Sequence, residues 1–244
     1  MASLQPKDLT MADADAIKAS TKVCMFDQYG TVVDMQGGLV QIATPFLAAK
    51  GWGGNPNSFV TWWRRTHFEN SMIDALLHRA HTSYRQIGQR AVSYVMDRAG
   101  IAYTQDEVRY LVGEIEKLRP FPEVPAALAR LQRRYKMVVL SNGDPDMLEA
   151  AKAYHGVKFD RVISVAEANS FKPHVATYTR AAELLGVAME EVLFVANHAF
   201  DCIGAKAAGM RTAFIDRRSR PFGETPYQPD LQLPSMTALA DAIG

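Results

Sequence analysis

At 244 residues the chain is too long for a disulfide-stapled mini-protein and near the upper end for one globular unit, which predicts one large domain or two unequal ones. Hydrophobic residues make up 48% and charged residues 22%, ordinary globular usage that excludes disorder for most of the chain. Lys and Arg total 27 against 26 Asp and Glu, so there is no basic field of the kind non-specific nucleic-acid binding requires, and nucleic acid is not an expected partner.

Cys24 and Cys202 belong to no CxxC pair or Cys/His cluster, which argues against structural zinc. The first twenty residues, MASLQPKDLTMADADAIKAS, lack a basic region followed by an apolar core, and no apolar run reaches the roughly 18 residues a membrane span needs. The expectation is a soluble, cytoplasmic chain without a membrane partner, preceded over residues 1–20 by a polar extension that frays.

The first strong element is Val23-Cys24-Met25-Phe26, an apolar run ending at Asp27 and followed by the turn Gln28-Tyr29-Gly30-Thr31. Four pieces then read as helical, 39–50, 58–79, 83–99 and 104–117, broken at Gly51 to Pro56, at His81-Thr82 and at Ala99-Gly100. Pro120 and Pro122 mark the return to strands. Met137 to Leu140 ends at Ser141-Asn142-Gly143-Asp144 and leads into a helix over 145–154. Arg161 to Ser164 precedes Lys172-Pro173 and a helix over 173–185. Val192 to Val195 precedes Ala196 to Asp201 and a helix over 202–208, and Thr212 to Ile215 is a fifth strand. The stretch 217–234, with Pro221, Pro226, Pro229 and Pro234, reads as a surface loop before a last short helix.

Continuous apolar strands alternating with helices predict an α/β fold with a parallel sheet covered on both faces. The span from Asp27 to Ser141 is several times longer than one crossover needs, so it contains a helical insertion. The expected division is a Rossmann-like core of residues 21–35 and 116–244 and an all-helical cap domain of residues 36–115.

In such a sheet, ligands bind past the carboxyl ends of the strands, near the switch in strand order. Asp27, Ser141 with Asn142, Lys172 and the segment Asn197 to Asp201 all fall there. Two carboxylates with one ammonium imply mutual pKa control, in which Lys172 keeps a carboxylate ionised and therefore nucleophilic.

This constellation resembles the haloacid dehalogenase-like superfamily: a strand ending in Asp, a strand ending in Ser or Thr, a Lys, and a last acidic loop, in that order. In its phosphatases a second Asp stands two residues after the nucleophile, and an acidic residue in the last loop helps to hold magnesium; here Tyr29 and Asn197 occupy those places. Losing both suits a leaving group that needs no proton and a substrate without phosphate. Asp27-Gln28-Tyr29-Gly30-Thr31, Trp63-Arg64 followed by Glu69, Leu140-Ser141-Asn142-Gly143, and Lys172-Pro173 with Tyr178 are similar to the L-2-haloacid dehalogenases, the type II haloacid dehalogenases.

The resemblance implies a haloacid dehalogenase-like fold and conversion of short (S)-2-haloacids to (R)-2-hydroxyacids, with no metal or other cofactor. Asp27 attacks C2, halide departs, and water hydrolyses the resulting ester. The implied catalytic set is Asp27, Thr31, Lys172, Asn197, His198 and Asp201. Thr31 hydrogen-bonds Asp27; Lys172 keeps it ionised; Asp201 supports Lys172 or helps to position the water. His198 stands where the subfamily has Asn, either as a general base or as a polar residue that fills the place without titrating. The implied substrate-binding set is Gln28, Tyr29, Ser141, Asn142 and Tyr178, with Gln28 either shaping the pocket or packing outside it. Arg64 receives the halide. The implied partners are the 2-haloacid, halide and a second copy of the chain in a homodimer.

Other residues read more plainly. Trp52, Phe59, Trp62, Trp63 and Phe68 fit a cap core better than a pocket lining. Arg65 and the run Arg217-Arg218-Ser219-Arg220 read as solvated, and Cys202 as a small apolar helix residue. Two rival functions remain: another hydrolase on the same fold, such as a small-molecule phosphatase or a ring-opening enzyme, and a degenerate member that only binds.

Overall fold

The computed structural model describes residues 11–77 and 81–244. Helix α1 (Met11–Ser20) leads into β1 (Val23–Phe26), whose four side chains are all buried. The chain then runs through α2 (Met35–Ala49), α3 (Pro56–Leu76), α4 (Tyr84–Arg98) and α5 (Gln105–Gly113), the last followed by a 3₁₀ turn at Glu114–Lys117. It continues through α6 (Val124–Leu131), β2 (Lys136–Ser141), α7 (Pro145–His155), β3 (Arg161–Ser164), α8 (Val175–Leu185), β4 (Val192–Ala196), α9 (Ala199–Ala207), β5 (Arg211–Ile215), β6 (Leu231–Leu233) and α10 (Met236–Ile243).

The strands form one parallel sheet in the order β3-β2-β1-β4-β5-β6. In register, Phe26 lies between Val139 of β2 and Val195 of β4, so the carboxyl ends of three strands meet around Asp27. The chain leaves β1 toward β2 on one side and later returns beside it as β4, which opens the crevice of a doubly wound sheet there.

Local chemistry sets the helix boundaries. Asp34 caps α2 by accepting the Gly37 N–H at 2.9 Å, so that helix starts at Met35 rather than at 39. Asn55 caps α3 with Pro56 in its first turn, and the expected end of this helix, Arg79, lies outside the described residues. Thr104 and Glu107 make a capping box on α5. Between these helices Val60, Trp63, Ala91, Val92, Met96, Leu111 and Val112 are fully or almost fully buried.

Three expectations need correction. Residues 11–20 are not a frayed leader but helix α1, with Ile17 in the core and Lys18 donating to the Gly244 carbonyl at 2.7 Å; residues 1–10 lie outside the described residues. The stretch 217–234 is not all surface loop. Leu231–Leu233 adds β6 to the sheet edge, where flanking prolines cost no ladder bonds, and Asp230 ties it to β5 by accepting the Thr212 N–H at 2.7 Å. Helix α6, unforeseen between Pro122 and β2, buries Val124, Ala127, Leu128 and Leu131. Among the described residues, no helix is long and apolar enough to cross a membrane.

Two buried histidines couple this packing to pH. His67 of α3 lies 3.0 Å from the Tyr84 carbonyl, and burial lowers it to about 3. His155, at the end of α7, lies 3.1 Å from the Gln28 amide nitrogen, and burial lowers it to about 4. Both values are lower folded than unfolded, so below the ordinary value of about 6.5 the unfolded chain binds more protons and stability falls with pH. Urea unfolding measured from pH 6.5 to 4 is expected to lose about 2–3 kcal/mol per pH unit in the steepest part, and His67→Gln to remove roughly half of that slope. A flat profile, or an unchanged slope in the variant, would show that neither ring resists protonation.

Candidate active site

Asp27 follows the last residue of β1, and its N–H donates to the Val195 carbonyl at 3.0 Å, which fixes its backbone to the neighbouring strand. The side chain is 9% exposed. Lys172 Nζ donates to Oδ1 at 2.8 Å and the Thr31 hydroxyl to Oδ2 at 2.7 Å, while His198 Nδ1 lies 3.4 Å from Oδ2. The same ammonium donates to Asp201 Oδ2 at 2.7 Å and to the Leu140 carbonyl at 3.0 Å, and the Tyr178 hydroxyl donates to Asp201 Oδ1 at 2.5 Å.

Burial pushes the Asp27 carboxyl up, but the Lys172 ammonium and the His198 ring outweigh it, holding Asp27 well below the usual carboxylate range. Burial alone would lower Lys172; Asp201 and Asp27 together hold it above its ordinary value. Asp201 is lifted by its own burial, with Lys172 opposing and Asp27 adding to the lift. The arrangement keeps one anionic carboxylate, Asp27, at the edge of a cavity, and the second, Asp201, completely enclosed.

That cavity, about 510 Å³, lies between the strand ends and α2–α3. From the strand ends and the connections after them it is lined by Asp27, Tyr29, Asn142, Lys172, His198 and Phe200, and from α3 by Arg64 and Phe68. The Arg64 guanidinium donates to Gln36 Oε1 at 2.8 Å, and burial together with the charge of Arg218 lowers it to about 10. The rings of Phe68 and Phe200 meet at 4.1 Å across the gap between α3 and α9. Gly30 has φ +97, and a Cβ there would fall 2.8 Å from His198 Cε1 and 3.4 Å from Arg64 Nη2; only glycine lets those two side chains converge over the turn.

Of the sequence-predicted site residues, Asp27, Tyr29, Arg64, Asn142, Lys172 and His198 reach the cavity. Thr31 and Asp201 sit directly behind them. Four others do not face it. The Gln28 side chain is turned away toward His155, because alternation past the strand end sends it to the opposite face from Asp27. Tyr178 lies beneath the ion cluster, bonded to Asp201 rather than placed to touch a ligand. Ser141 is fully buried and accepts the Gly143 N–H at 3.2 Å, which shapes its loop. The Asn197 amide donates to the Ile215 carbonyl at 2.6 Å and its N–H to Thr31 Oγ1 at 2.8 Å, a link between strands.

Several contributors were not foreseen. Arg217, expected in solvent, places its guanidinium 3.8 Å over the Phe121 ring, pairs with Glu123, and donates from Nη2 to the Thr31 carbonyl at 3.0 Å. Gln36 orients Arg64. Phe68, read as cap core, lines the crevice, whereas Trp63 and Phe59 are core as expected. Glu69 pairs with Arg65, not Arg64. Only the position of Arg217 two residues past the end of β5 could have hinted at its role.

Compared with known proteins, residues 21–209 match the family described as haloacid dehalogenase-like hydrolase. The chain belongs to that family. It is 34% identical over 201 residues to an (S)-2-haloacid dehalogenase of Xanthobacter autotrophicus, covering 82% of this chain and 76% of that one. It is 29% identical over 221 residues to the haloacetate dehalogenase H-2 of Moraxella sp. (strain B), covering 89% and 96%. Its fold is similar to that of the L-2-haloacid dehalogenase of Xanthobacter autotrophicus with chloropropionic acid covalently bound, with a TM-score of 0.81 and 29% identity, over 91% of this chain and 98% of the other.

For a member of the haloacid dehalogenase-like hydrolases, the donor set fits a magnesium ion poorly. Both Asp27 oxygens face proton donors, Tyr29 stands two residues on, and the Asn197 side chain turns its nitrogen to a carbonyl. The ammonium of Lys172 supplies the positive charge instead.

Removing that charge strands two buried carboxylates. Lys172→Met is expected to lower the unfolding free energy by about 3–5 kcal/mol near neutral pH. The deficit should shrink as pH falls, because protonating Asp27 and Asp201 relieves their repulsion. Urea titrations at two pH values check this, and an equal loss at both would show that packing, not charge, is what Lys172 supplies.

Proposed function

We propose that this haloacid dehalogenase-like hydrolase converts short (S)-2-haloacids to (R)-2-hydroxyacids and halide through an ester on Asp27. The observation that carries the reading is the ionised, partly enclosed Asp27 carboxylate held by an ammonium at the edge of a cavity that Arg64 also lines. Relatives of similar length that carry this activity by name support it.

One Asp27 oxygen attacks C2 opposite the carbon–halogen bond; the C–O bond forms as the bonding pair leaves with halide, and configuration inverts. Arg64, oriented by Gln36, meets the charge that develops on the halogen. Asn142 commits its Oδ1 to the Lys172 N–H at 3.1 Å, which leaves its amide hydrogens for the substrate carboxylate. Tyr29, Phe68 and Phe200 enclose the alkyl part.

Water then attacks Cγ of the Asp27 ester. Its proton passes to a base, the 2-hydroxyacid leaves as an alkoxide that takes a proton, and Asp27 is regenerated with one oxygen from water. Asp201 is completely buried with both oxygens engaged, whereas His198 lines the cavity beside Asp27, which favours His198 as that base. Thr31 and Lys172 hold the carboxylate; Tyr178 and Asn197 act through Asp201 and Thr31; Ser141 shapes the loop that presents Asn142. In this reading residues 36–115 form the cap and 21–35 with 116–244 the core, and the working assembly is a homodimer.

Ion chromatography after incubation with (S)-2-chloropropionate in excess EDTA should detect chloride. Asp27→Asn should abolish release. Arg64→Met should lower kcat by about a hundredfold or more, since one fixed stabiliser of developing charge is typically worth about 10²–10³. Activity confined to phosphate esters with added magnesium would reject the reading in favour of a phosphatase. In His198→Ala, mass spectrometry of the chain mixed with substrate should show the acyl adduct on Asp27. Its absence across a panel of haloacids, in variant and wild type alike, would favour a protein that only binds.

A further inference from the structure

The loop after β5 brings two more guanidinium groups to the cavity. Arg218 and Arg220 line it together with Asp27, Arg64 and His198. Their placement is built into the backbone. Asp216 Oδ1 accepts the N–H of Arg218 at 3.3 Å and of Arg220 at 3.0 Å, and Arg217 pins the loop to the Thr31 carbonyl at 3.0 Å. The segment that carries the two arginines is thus tied to the segment that carries the nucleophile.

A charge inventory of the lining shows what these groups lack. Lys172 is matched by Asp27 and Asp201, and Arg65 by Glu69. Among the described residues, Arg64, Arg218 and Arg220 have no carboxylate within ion-pair distance. The carboxylate whose field reaches both Arg64 and Arg218 is Asp34, and its Oδ1 is engaged in capping α2. Arg218 is lowered by its partial burial and by the like charge of Arg220. A set of guanidinium groups that repel one another around a cavity is stabilised by an anion entering it.

A short 2-haloacid supplies too little. Its carboxylate lies near Asn142, and the charge released on halide is met at Arg64. A cavity of about 510 Å³ falls within the roughly 300–1,000 Å³ range that encloses drug-sized ligands, far more than a short monocarboxylic haloacid fills. We propose that Arg218 and Arg220 form a second anion subsite that binds the distal carboxylate of a 2-halodicarboxylic acid. The inference rests on the dehalogenase reading and adds the substrate class to it. The planar guanidinium fork suits a carboxylate geometrically, and the two side chains stand at the rim, where they also draw dianions toward the crevice.

Binding and turnover test it separately. In calorimetry on Asp27→Asn protein, succinate should bind at least about tenfold more tightly than propionate, the scale of one charge-assisted hydrogen bond, and adding Arg218→Gln and Arg220→Gln should abolish that preference. In the wild-type background, the same pair of substitutions should lower the ratio of kcat/KM for (S)-2-chlorosuccinate over (S)-2-chloropropionate by about tenfold or more, mainly through KM. Equal binding of succinate and propionate, or an unchanged ratio in the double variant, would overturn the subsite. If succinate is preferred and the preference depends on the two arginines, yet neither chloroacid yields chloride, the subsite stands and the dehalogenase reading falls. Chloride from the monocarboxylate without preference for the dianion would leave the dehalogenase standing and remove the subsite.

Discussion

A buried ammonium between two buried carboxylates is the constraint around which the rest is arranged. Taking three charges out of water costs more than their attraction returns unless every hydrogen-bonding position is filled. All three Lys172 protons have acceptors: Asp27, Asp201 and the Leu140 carbonyl. Both Asp201 oxygens have donors, Lys172 and Tyr178. Of the two carboxylates, Asp27 is the one that keeps a face toward the cavity, so it bears the cluster's excess negative charge where a substrate can meet it. A divalent cation at that place would draw the same carboxylate into coordination and blunt it as a nucleophile toward carbon; a single ammonium holds it ionised through one oxygen and leaves the other to weaker donors.

The sheet makes this cluster possible. Asp27 sits where β1 ends between β2 and β4, Leu140 presents its carbonyl from β2, and Lys172 and Asp201 come from the connections that follow β3 and β4. Segments far apart in sequence therefore converge because parallel strands end on the same side. Arg217 extends the same logic to β5: its guanidinium spans from the Thr31 carbonyl to Glu123, and Thr31 in turn donates to Asp27. The nucleophile is held from both sides of the switch point.

The legible features were those with a local cause. Fully buried strands read as uninterrupted apolar runs, and Val23–Phe26 and Arg161–Ser164 coincide with the elements observed. The ionic partners of Asp27 were legible because they fall in the connections that follow the carboxyl ends of strands. Less legible were elements stabilised only by distant contacts: β6 is three residues between prolines and exists through pairing with β5, and α1 through its packing near the carboxyl terminus. Side-chain direction past a strand end was also hidden. Gln28 and Tyr178 lie beside the right residues in sequence, yet one faces His155 and the other the underside of Asp201. A run such as Arg217-Arg218-Ser219-Arg220 reads as solvated because the partners that bury the first arginine, Phe121 and Glu123, are remote in the chain.

The helical insertion supplies what the sheet cannot. Displacement at carbon requires nucleophile and leaving group on opposite sides of the reacting atom, so a site built only from strand ends would place both on one wall. Arg64 comes from α3 and is fixed by Gln36 of α2, so the insertion brings a guanidinium to the cavity that Asp27 borders. The insertion is keyed to the sheet by Asp144, which follows β2 and accepts the N–H groups of Tyr84 and Arg85 at 2.8 and 3.0 Å, so that a carboxylate of one unit caps a helix of the other. Arg85 adds ion pairs to Glu116 and Asp146 at the same seam. Because Asn142 and Asp144 share the loop after β2, the segment that reaches the cavity also sets the position of α4, and through the α3–α4 packing the position of Arg64. The placement of Arg64 relative to Asp27 is fixed by that chain of contacts rather than by either unit alone.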